Sequence, residues 1–360
     1  MIAGVCIVIC LLCLLITAGC TSTGTLQNSD AGPENVPITV TDSLGNTVTF
    51  PHPVQRIICQ NGLAAEVLID IGSGDRIVGV TDTAVKEQYL MNQIPQAKSI
   101  GEIRNPDLEQ ILALHPDVFI AYGDSGSIPG NIDKILAANI TVLYVKVYDI
   151  RDIARETRML GEITGNEENA ERFIQFTEHY QSLMEDRTRN TSGSESPRVY
   201  LEQIMDYMVT HQGSSGDYML NLLHAHNIAG DITTPYAIVS PEWVIEQDPD
   251  IIIKQVPRGQ NISAVRMDVT NRLGFSNIHA VENGRVYALS SSMVSGPRQI
   301  IGILYIAKAI YPERFADVDP DDVLAEYARE FMPGSDKAGA FDPPLPVTEP
   351  EVINTTVRGG

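Results

Sequence analysis

The sequence predicts an α/β protein built as two similar halves joined by helix, and three observations predict it. Short apolar runs take turns with amphipathic helical patterns along most of the chain, which is the alternation of a parallel sheet covered by helices. Midway, between Asp149 and Asn190, no strand pattern occurs. On either side of that gap the chain writes nearly the same phrase twice, PDLEQILALHPDVFI at 106–120 and PEWVIEQDPDIII at 241–253. In each, a glutamate (Glu109, Glu242) is followed by six residues, then Pro-Asp (Pro116-Asp117, Pro249-Asp250), then an apolar run.

The elements follow in order. ITVTDSLGNTVTF reads as a hairpin, two alternating runs around Leu44-Gly45-Asn46. The alternation then predicts strand at Arg56–Cys59, helix at Ala64–Ile71, strand at Arg76–Val80, helix at Leu108–Leu114, strand at Asp117–Ala121, helix at Ile132–Ala138 and strand at Thr141–Val145. These complete a first lobe, residues 37–148. The connection, 149–190, reads as two helices, Ile150–Ile163 and Glu167–Arg187, punctuated by Gly165-Asn166. In the second of them Phe173, Ile174, Phe176, Tyr180, Leu183 and Met184 recur at helical spacing, and a helix of about twenty residues reaches about 30 Å. A second lobe, 197–335, resumes with strand at Arg198–Met205, helices at Asp217–His224 and Glu242–Gln247, strand at Ile251–Lys254, helix at Ala264–Leu273, strand at Arg285–Leu289 and helix at Arg298–Ile310. The tail, 336–360, is rich in Pro and polar residues and is expected to stay disordered.

A chain of 360 residues holds two domains of ordinary size, each able to bury a core. Its 43% apolar and 20% charged residues are the composition of a globular body. The 46 acids against 25 Lys and Arg give a formal net charge of -21, which argues against nucleic acid as a partner, because phosphate binding needs a basic face.

The start of the chain stands apart. Ile2 to Ala18 is uniformly apolar, about the length of a signal h-region and slightly short of a spanning helix. It ends at Ala18-Gly19-Cys20, and residues 21–36 are a polar, flexible tether. The arrangement resembles the lipobox of a prokaryotic lipoprotein, which implies that Cys20 is acylated and that 1–20 is a leader. Thr17 stands where Leu is usual and no Lys or Arg precedes Arg56, so an uncleaved anchor is the alternative. Either arrangement puts the body outside the cytoplasm, on the outer face of the cell membrane. Four of the five cysteines belong to the leader, leaving Cys59 alone in the body as a buried structural thiol. Sequons begin at Asn139, Asn190, Asn261 and Asn354.

The ordered segments VTDSLGNTVTFPHPVQRIIC, EVLIDIGSGDRIVGVTD, SIGEIRNPDLEQILALHPDVFIAY and LGEITGNEENAERF resemble the substrate-binding proteins of ABC importers for iron-siderophores, haem and cobalamin, the class III periplasmic binding proteins. The likeness runs from about Val40 to Phe315. It implies two Rossmann-like lobes with parallel sheets, a long rigid helix joining them and a ligand cleft between, with only small closure on binding. It implies a dimeric permease with its ATPase as partner, and permease-docking roles for the two glutamates of the repeated phrase, Glu109 and Glu242. The blander account of these acids is that each follows a proline in a first helical turn, where an acid suits the helix dipole.

In α/β sheets ligands bind beyond the carboxyl ends of the strands. The candidates there are Arg104, Tyr122, Tyr207, Ser214, Ser215 and Arg298. Tyr122 and Tyr207 are aromatic faces suited to a flat chelate or macrocycle, or else core side chains. Arg298 follows Pro297 in an opening helical turn, where the dipole disfavours a cation, so a nearby anion is expected: a ligand or an internal acid. Arg104 reads the same way. With two cleft arginines and Trp243 the only tryptophan, an anionic ferric chelate is favoured over cobalamin; cobalamin, haem and molybdate or tungstate are the alternatives. No cofactor and no protein-held metal are expected, since His224 and His226, two apart, face different ways on a helix. There is no dinucleotide fingerprint, no Walker A pattern and no nucleophile elbow, so an enzyme is not expected; the competing plan is an extracytoplasmic two-lobe enzyme of glycosyltransferase type. The body is expected to be a monomer.

Overall fold

A computed structural model describes residues 36–123, 126–191 and 196–332. The leader with Cys20, nearly all of the tether and the 336–360 tail lie outside the described residues. Among the described residues, no helix is long and apolar enough to cross a membrane.

The first lobe opens with an antiparallel hairpin of β1 (Ile38–Thr41) and β2 (Thr47–Phe50). There follow β3 (Ile57–Cys59), α1 (Gly62–Asp70), β4 (Ile77–Val80), α2 (Asp82–Val85), α3 (Gln88–Gln93), β5 (Lys98–Ser99), a small hairpin of β6 (Gly101–Glu102) and β7 (Asn105–Pro106), α4 (Leu108–Ala113), β8 (Val118–Tyr122), α5 (Ile132–Ala137) and β9 (Thr141–Val145). The five main strands form one parallel sheet in the order β5-β4-β3-β8-β9. The connection is α6 (Ile150–Thr164) and α7 (Glu167–Thr188), the chain reversing at Gly165, whose left-handed φ of 66° closes the first helix. α7 has 22 residues, a rod of about 33 Å.

The second lobe contains β10 (Arg198–Glu202), α8 (Ser215–Leu222), β11 (His226–Asn227), α9 (Pro241–Gln247), β12 (Ile251–Val256), α10 (Ile262–Thr270), α11 (His279–Glu282), β13 (Val286–Ser290), α12 (Gln299–Ile310) and α13 (Pro320–Phe331). Its sheet is parallel, ordered β11-β10-β12-β13. β10 is three residues shorter than the apolar pattern predicts. The chain turns out of the sheet after Glu202 because Lys254 Nζ takes the carbonyls of Gln203 and Ile204, at 2.8 and 3.1 Å, and Tyr207 adopts a left-handed φ of 60°.

One cluster of buried apolar side chains runs through the whole body, from Val67 and Leu68 of α1 through Leu160 and Phe173 of the connection to Ile301, Leu304 and Phe331 of the second lobe. Smaller clusters lie under each sheet, around Phe119 in the first lobe and Phe275 in the second. The C-terminal helix α13 carries the shared core back across, with Phe331 edge-on to Phe173 and Phe176 of α7.

Candidate ligand-binding cleft

The lobes touch through loops that leave the carboxyl ends of their strands. Arg258, after β12, pairs with Glu87, which follows β4 and α2. Gly296, after β13, lies so close to Leu63 after β3 that a Cβ there would sit 2.7 Å from its Cδ2. Arg151, after β9, reaches the Gly213 carbonyl at 3.4 Å and lies 5.6 Å over the Tyr218 ring. Both sheets thus turn their carboxyl ends to one shared interface, the place where open α/β sheets hold ligands.

The first-lobe wall is organised by Gln60, a fully buried side chain just past β3. Its amide donates to the carbonyls of Ile103 and Ser127 at 2.9 and 2.8 Å and accepts from the Tyr122 N–H at 2.9 Å. One glutamine therefore ties the β6–β7 hairpin to the end of β8 and its following loop, and brings Arg104 and Tyr122 to the same end of the sheet. Arg104 is exposed, its carbonyl held by the Gly130 N–H at 2.9 Å. Tyr122 is half-buried with its ring 6.3 Å from that of Tyr148. The sequence reading missed Gln60; its signal was a polar amide closing an otherwise apolar strand.

The second-lobe wall is a strained arm. Residues 204–209 run beside 236–239, with Val209 N–H donating to Ala237 and Val239 N–H to Tyr207, at 2.9 and 3.0 Å. Tyr207 and Tyr236 both take left-handed backbone conformations, with φ of 60° and 56°, which non-glycine residues adopt only where their surroundings impose them. Tyr207 is pinned by the Arg272 guanidinium 4.4 Å over its ring. Arg272 in turn grips the buried Glu202 through two bonds of 2.6 and 2.8 Å, and Lys254 Nζ approaches the same carboxylate at 2.7 Å. Burial pushes Glu202 up, but Arg272 and Lys254 outweigh it and hold the carboxyl below the usual range. Asp206 accepts from both cations, so two acids face two bases and the network is neutral. A cavity of about 580 Å³ opens beside it, lined by Ile204, Asp206, Lys254, Gln260 and Asp268. The arm leaves Ile204, Met205, Tyr236 and Ile238 exposed, Tyr236 at 73%, as one apolar lip that the sequence reading did not single out.

One expected ligand contact, Arg298, is buried in the interior, and two others, Ser214 and Ser215, have partners within the fold. Arg298 is 1% exposed and its guanidinium meets Glu66 at 2.5 and 3.1 Å and the Tyr89 hydroxyl at 3.0 Å. The anion that offsets its unfavourable helix-start position is an internal acid across the lobe interface. Ser214 caps α8, accepting from the Asp217 N–H at 3.2 Å while donating to the His211 carbonyl at 2.7 Å. Ser215 accepts from Gln299 Nε2 at 2.8 Å. Ser214 thus caps the start of α8, and Ser215 ties that start to α12. Around Arg298 the Tyr327 hydroxyl donates to Asp70 at 2.9 and 3.0 Å and lies 3.1 Å from Glu66. Burial first, then the neighbouring Glu66 carboxylate, raise Asp70 well above the ordinary carboxyl range.

The repeated phrase builds the same corner twice. Each helix, α4 or α9, ends on a left-handed residue before the proline: His115 with φ 45°, Asp248 with φ 43°. The following aspartate then accepts from the start of the neighbouring strand: Asp117 from Gln55 and Arg56 N–H at 2.7 and 2.9 Å, Asp250 from Arg198 N–H at 2.8 Å. The arginine of that strand returns to cap the helix, Arg56 on the Leu114 carbonyl and Arg198 on that of Gln247, at 2.6 and 2.9 Å. Glu109 and Glu242 are both exposed. Glu242 is held below the usual carboxylate range by its own backbone N–H and the Ser240 hydroxyl, so this acid does have local partners. Among the described residues no group of three or more His, Cys, Asp or Glu is placed to hold a metal.

The comparisons with known proteins agree with this architecture. The chain is 29% identical over 317 residues to YvrC of Bacillus subtilis, named as an uncharacterized ABC transporter substrate-binding lipoprotein, across 85% of this chain and 96% of the relative. It is 25% identical over 267 residues to a cobalamin-binding protein of Halobacterium salinarum, across 73% of this chain and 69% of the relative. The molybdate-bound MolA of Haemophilus influenzae superposes with a TM-score of 0.68 at 22% identity, covering 81% of this chain and 97% of that one, and shares the two-lobe α/β fold expected from the sequence. These are binding proteins of transport, not enzymes. The family described as Periplasmic binding protein matches residues 57–293, and with most of its folded body so matched the chain belongs to that family.

Proposed function

We propose that this protein is the solute-capturing component of an ABC importer, and that it holds an organic metal chelate in the cleft between its lobes and delivers it to a permease with its ATPase. The observation that carries the ligand class is the apolar lip of Ile204, Met205, Tyr236 and Ile238, because an exposed apolar surface at the carboxyl ends of the strands suits the hydrocarbon face of a chelator or macrocycle. A small hydrated oxyanion gains nothing from such a surface. Arg104, across the cleft end of the first lobe, supplies a cation for a carboxylate or amide edge of the same ligand. With Arg298 committed to Glu66, the arginine argument that favoured a ferric siderophore rests on Arg104 alone, so ferric chelates and corrinoids stand as one class of occupant. Acylation of Cys20 tethers the body to the outer face of the membrane in this reading, and Glu109 and Glu242 dock on permease cations.

Native mass spectrometry of the body against cyanocobalamin, cobinamide, haemin, ferric catecholate and hydroxamate siderophores, and molybdate tests the ligand class. One of the organic chelates is expected to bind, and Tyr236→Ala to weaken it roughly tenfold, the effect of losing one stacked aromatic contact. Binding of molybdate alone overturns the chelate reading.

A further inference from the structure

Leu273 is 96% exposed, the most exposed large apolar side chain among the described residues. It is not at a free end. Arg272 on one side is fixed by its two bonds to buried Glu202, and Phe275, two residues on, is fully buried. Gly274 between them has a left-handed φ of 85°, and a Cβ there would sit 2.7 Å from Ile245 Cδ1. Ile245 belongs to α9, one turn beyond Glu242. The fold thus presses the 272–275 turn onto the acid-bearing helix and holds a leucine out into solvent beside it.

The other lobe also exposes a leucine near its acid, here on the acid's own helix. On α4, Leu112 stands three residues after Glu109, so acid and leucine are neighbours on one exposed helix face. The buried positions correspond as well: Ile111 and Val244, each two residues after its glutamate, are both fully buried. Each lobe therefore offers an exposed acid and an exposed leucine near one another, Leu112 on the acid-bearing helix α4 itself and Leu273 on the turn packed against α9.

We propose that Leu273 and Leu112 are apolar anchors that seat the protein on its permease, each entering a hollow next to the cation that receives Glu242 or Glu109. The proposal rests on the docking reading above. The permease is the committed occupant because a doubled acid-plus-apolar patch, one per lobe, is complementary to a partner offering a base and a hollow on each of two like subunits. An acid sets register and encounter, whereas buried leucine area supplies residence time.

The test measures binding of the ligand-free protein to its cognate permease–ATPase complex in nanodiscs, by biolayer interferometry. Leu112→Ser with Leu273→Ser is expected to raise the dissociation constant roughly tenfold or more, mostly through faster release. Leu273→Ser alone, at a side chain 96% exposed, is expected to leave the melting temperature at the wild-type value and still to weaken binding, and the double variant, in which Leu112 is 39% exposed, is measured at a temperature where it is fully folded. Glu109→Arg with Glu242→Arg is measured beside it. If the charge reversal abolishes binding and the leucine variant binds like wild type, the anchor proposal is wrong and docking by the acids stands. If neither variant changes binding, the docking reading falls and takes the anchors with it. If sedimentation shows a wild-type dimer that Leu273→Ser dissolves, the occupant is a second copy of the chain, and the permease assignment is overturned.

Discussion

At the scale of single residues, the most consequential group is Arg298, a cation buried between the lobes with Glu66, Tyr89 and Tyr327 around it. Removing one partner of such a pair leaves the other charge uncompensated in the interior. Arg298→Ala is therefore expected to lower stability by about 3–5 kcal/mol in denaturant melts, and the folded fraction to bind ligand as before. Weakened binding at unchanged stability would return Arg298 to the cleft. Asp70 beside it carries a second expectation. Its folded-state pKa is raised, so its contribution to stability is complete below the ordinary carboxyl value of about 4 and is lost as pH rises through the folded value. Asp70→Asn is expected to flatten the decline of melting temperature between mildly acid and neutral pH, measured by calorimetry across that range. An unchanged slope would assign the decline to other groups. None of this was legible locally. The sequence marks Arg298 as a cation set against a helix dipole, but Glu66 lies 232 residues away, and no spacing rule reaches so far.

At the scale of elements, the repeated phrase separates into a structural part and a part the fold leaves unused. The left-handed residue, the Pro-Asp turn and the returning arginine lock helix to strand in both lobes. The glutamates are not needed for that corner, and among the described residues Glu242 bonds to Ser240 and its own backbone. Charge reversal at both, Glu109→Arg with Glu242→Arg, is expected to leave ligand affinity and melting temperature nearly unchanged and to abolish uptake in cells carrying the permease. Transport at the wild-type rate would make them helix-start acids alone, and collapsed binding would give them to the fold. Helices and strands with a strong period were readable because side-chain direction repeats within a few residues. The short α2 and α3 were not, since they are held by tertiary contacts. β10 ran short because Lys254, from another strand, took the carbonyls that would have continued it.

At the scale of the whole molecule, the connection and the shared core matter most. The rod of α7, the return of α13 across it and one apolar cluster reaching both lobes oppose any large hinge motion, since such motion would expose surface now buried. Residues 36–335 are expected to behave as a monomer whose small-angle scattering curve is the same with and without bound ligand. A rotation of one lobe by tens of degrees would refute the rigid frame.

The sequence by itself determined the class of fold, the two halves, the helical connection and the duplicated corner, because alternation, helical spacing and turn chemistry are set by neighbours along the chain. Only the tertiary structure decided which polar groups are spent inside. Arg298, Ser214 and Ser215 looked like cleft residues from their positions after strands; Arg298 and Ser215 meet partners brought close by folding, and Ser214 caps its own helix. Gln60 and the lip around Tyr236 were not singled out from the sequence, since one gains its role by gathering distant segments and the other by pairing two segments some thirty residues apart. Burial and pairing are properties of the packed chain, and a local pattern does not contain them.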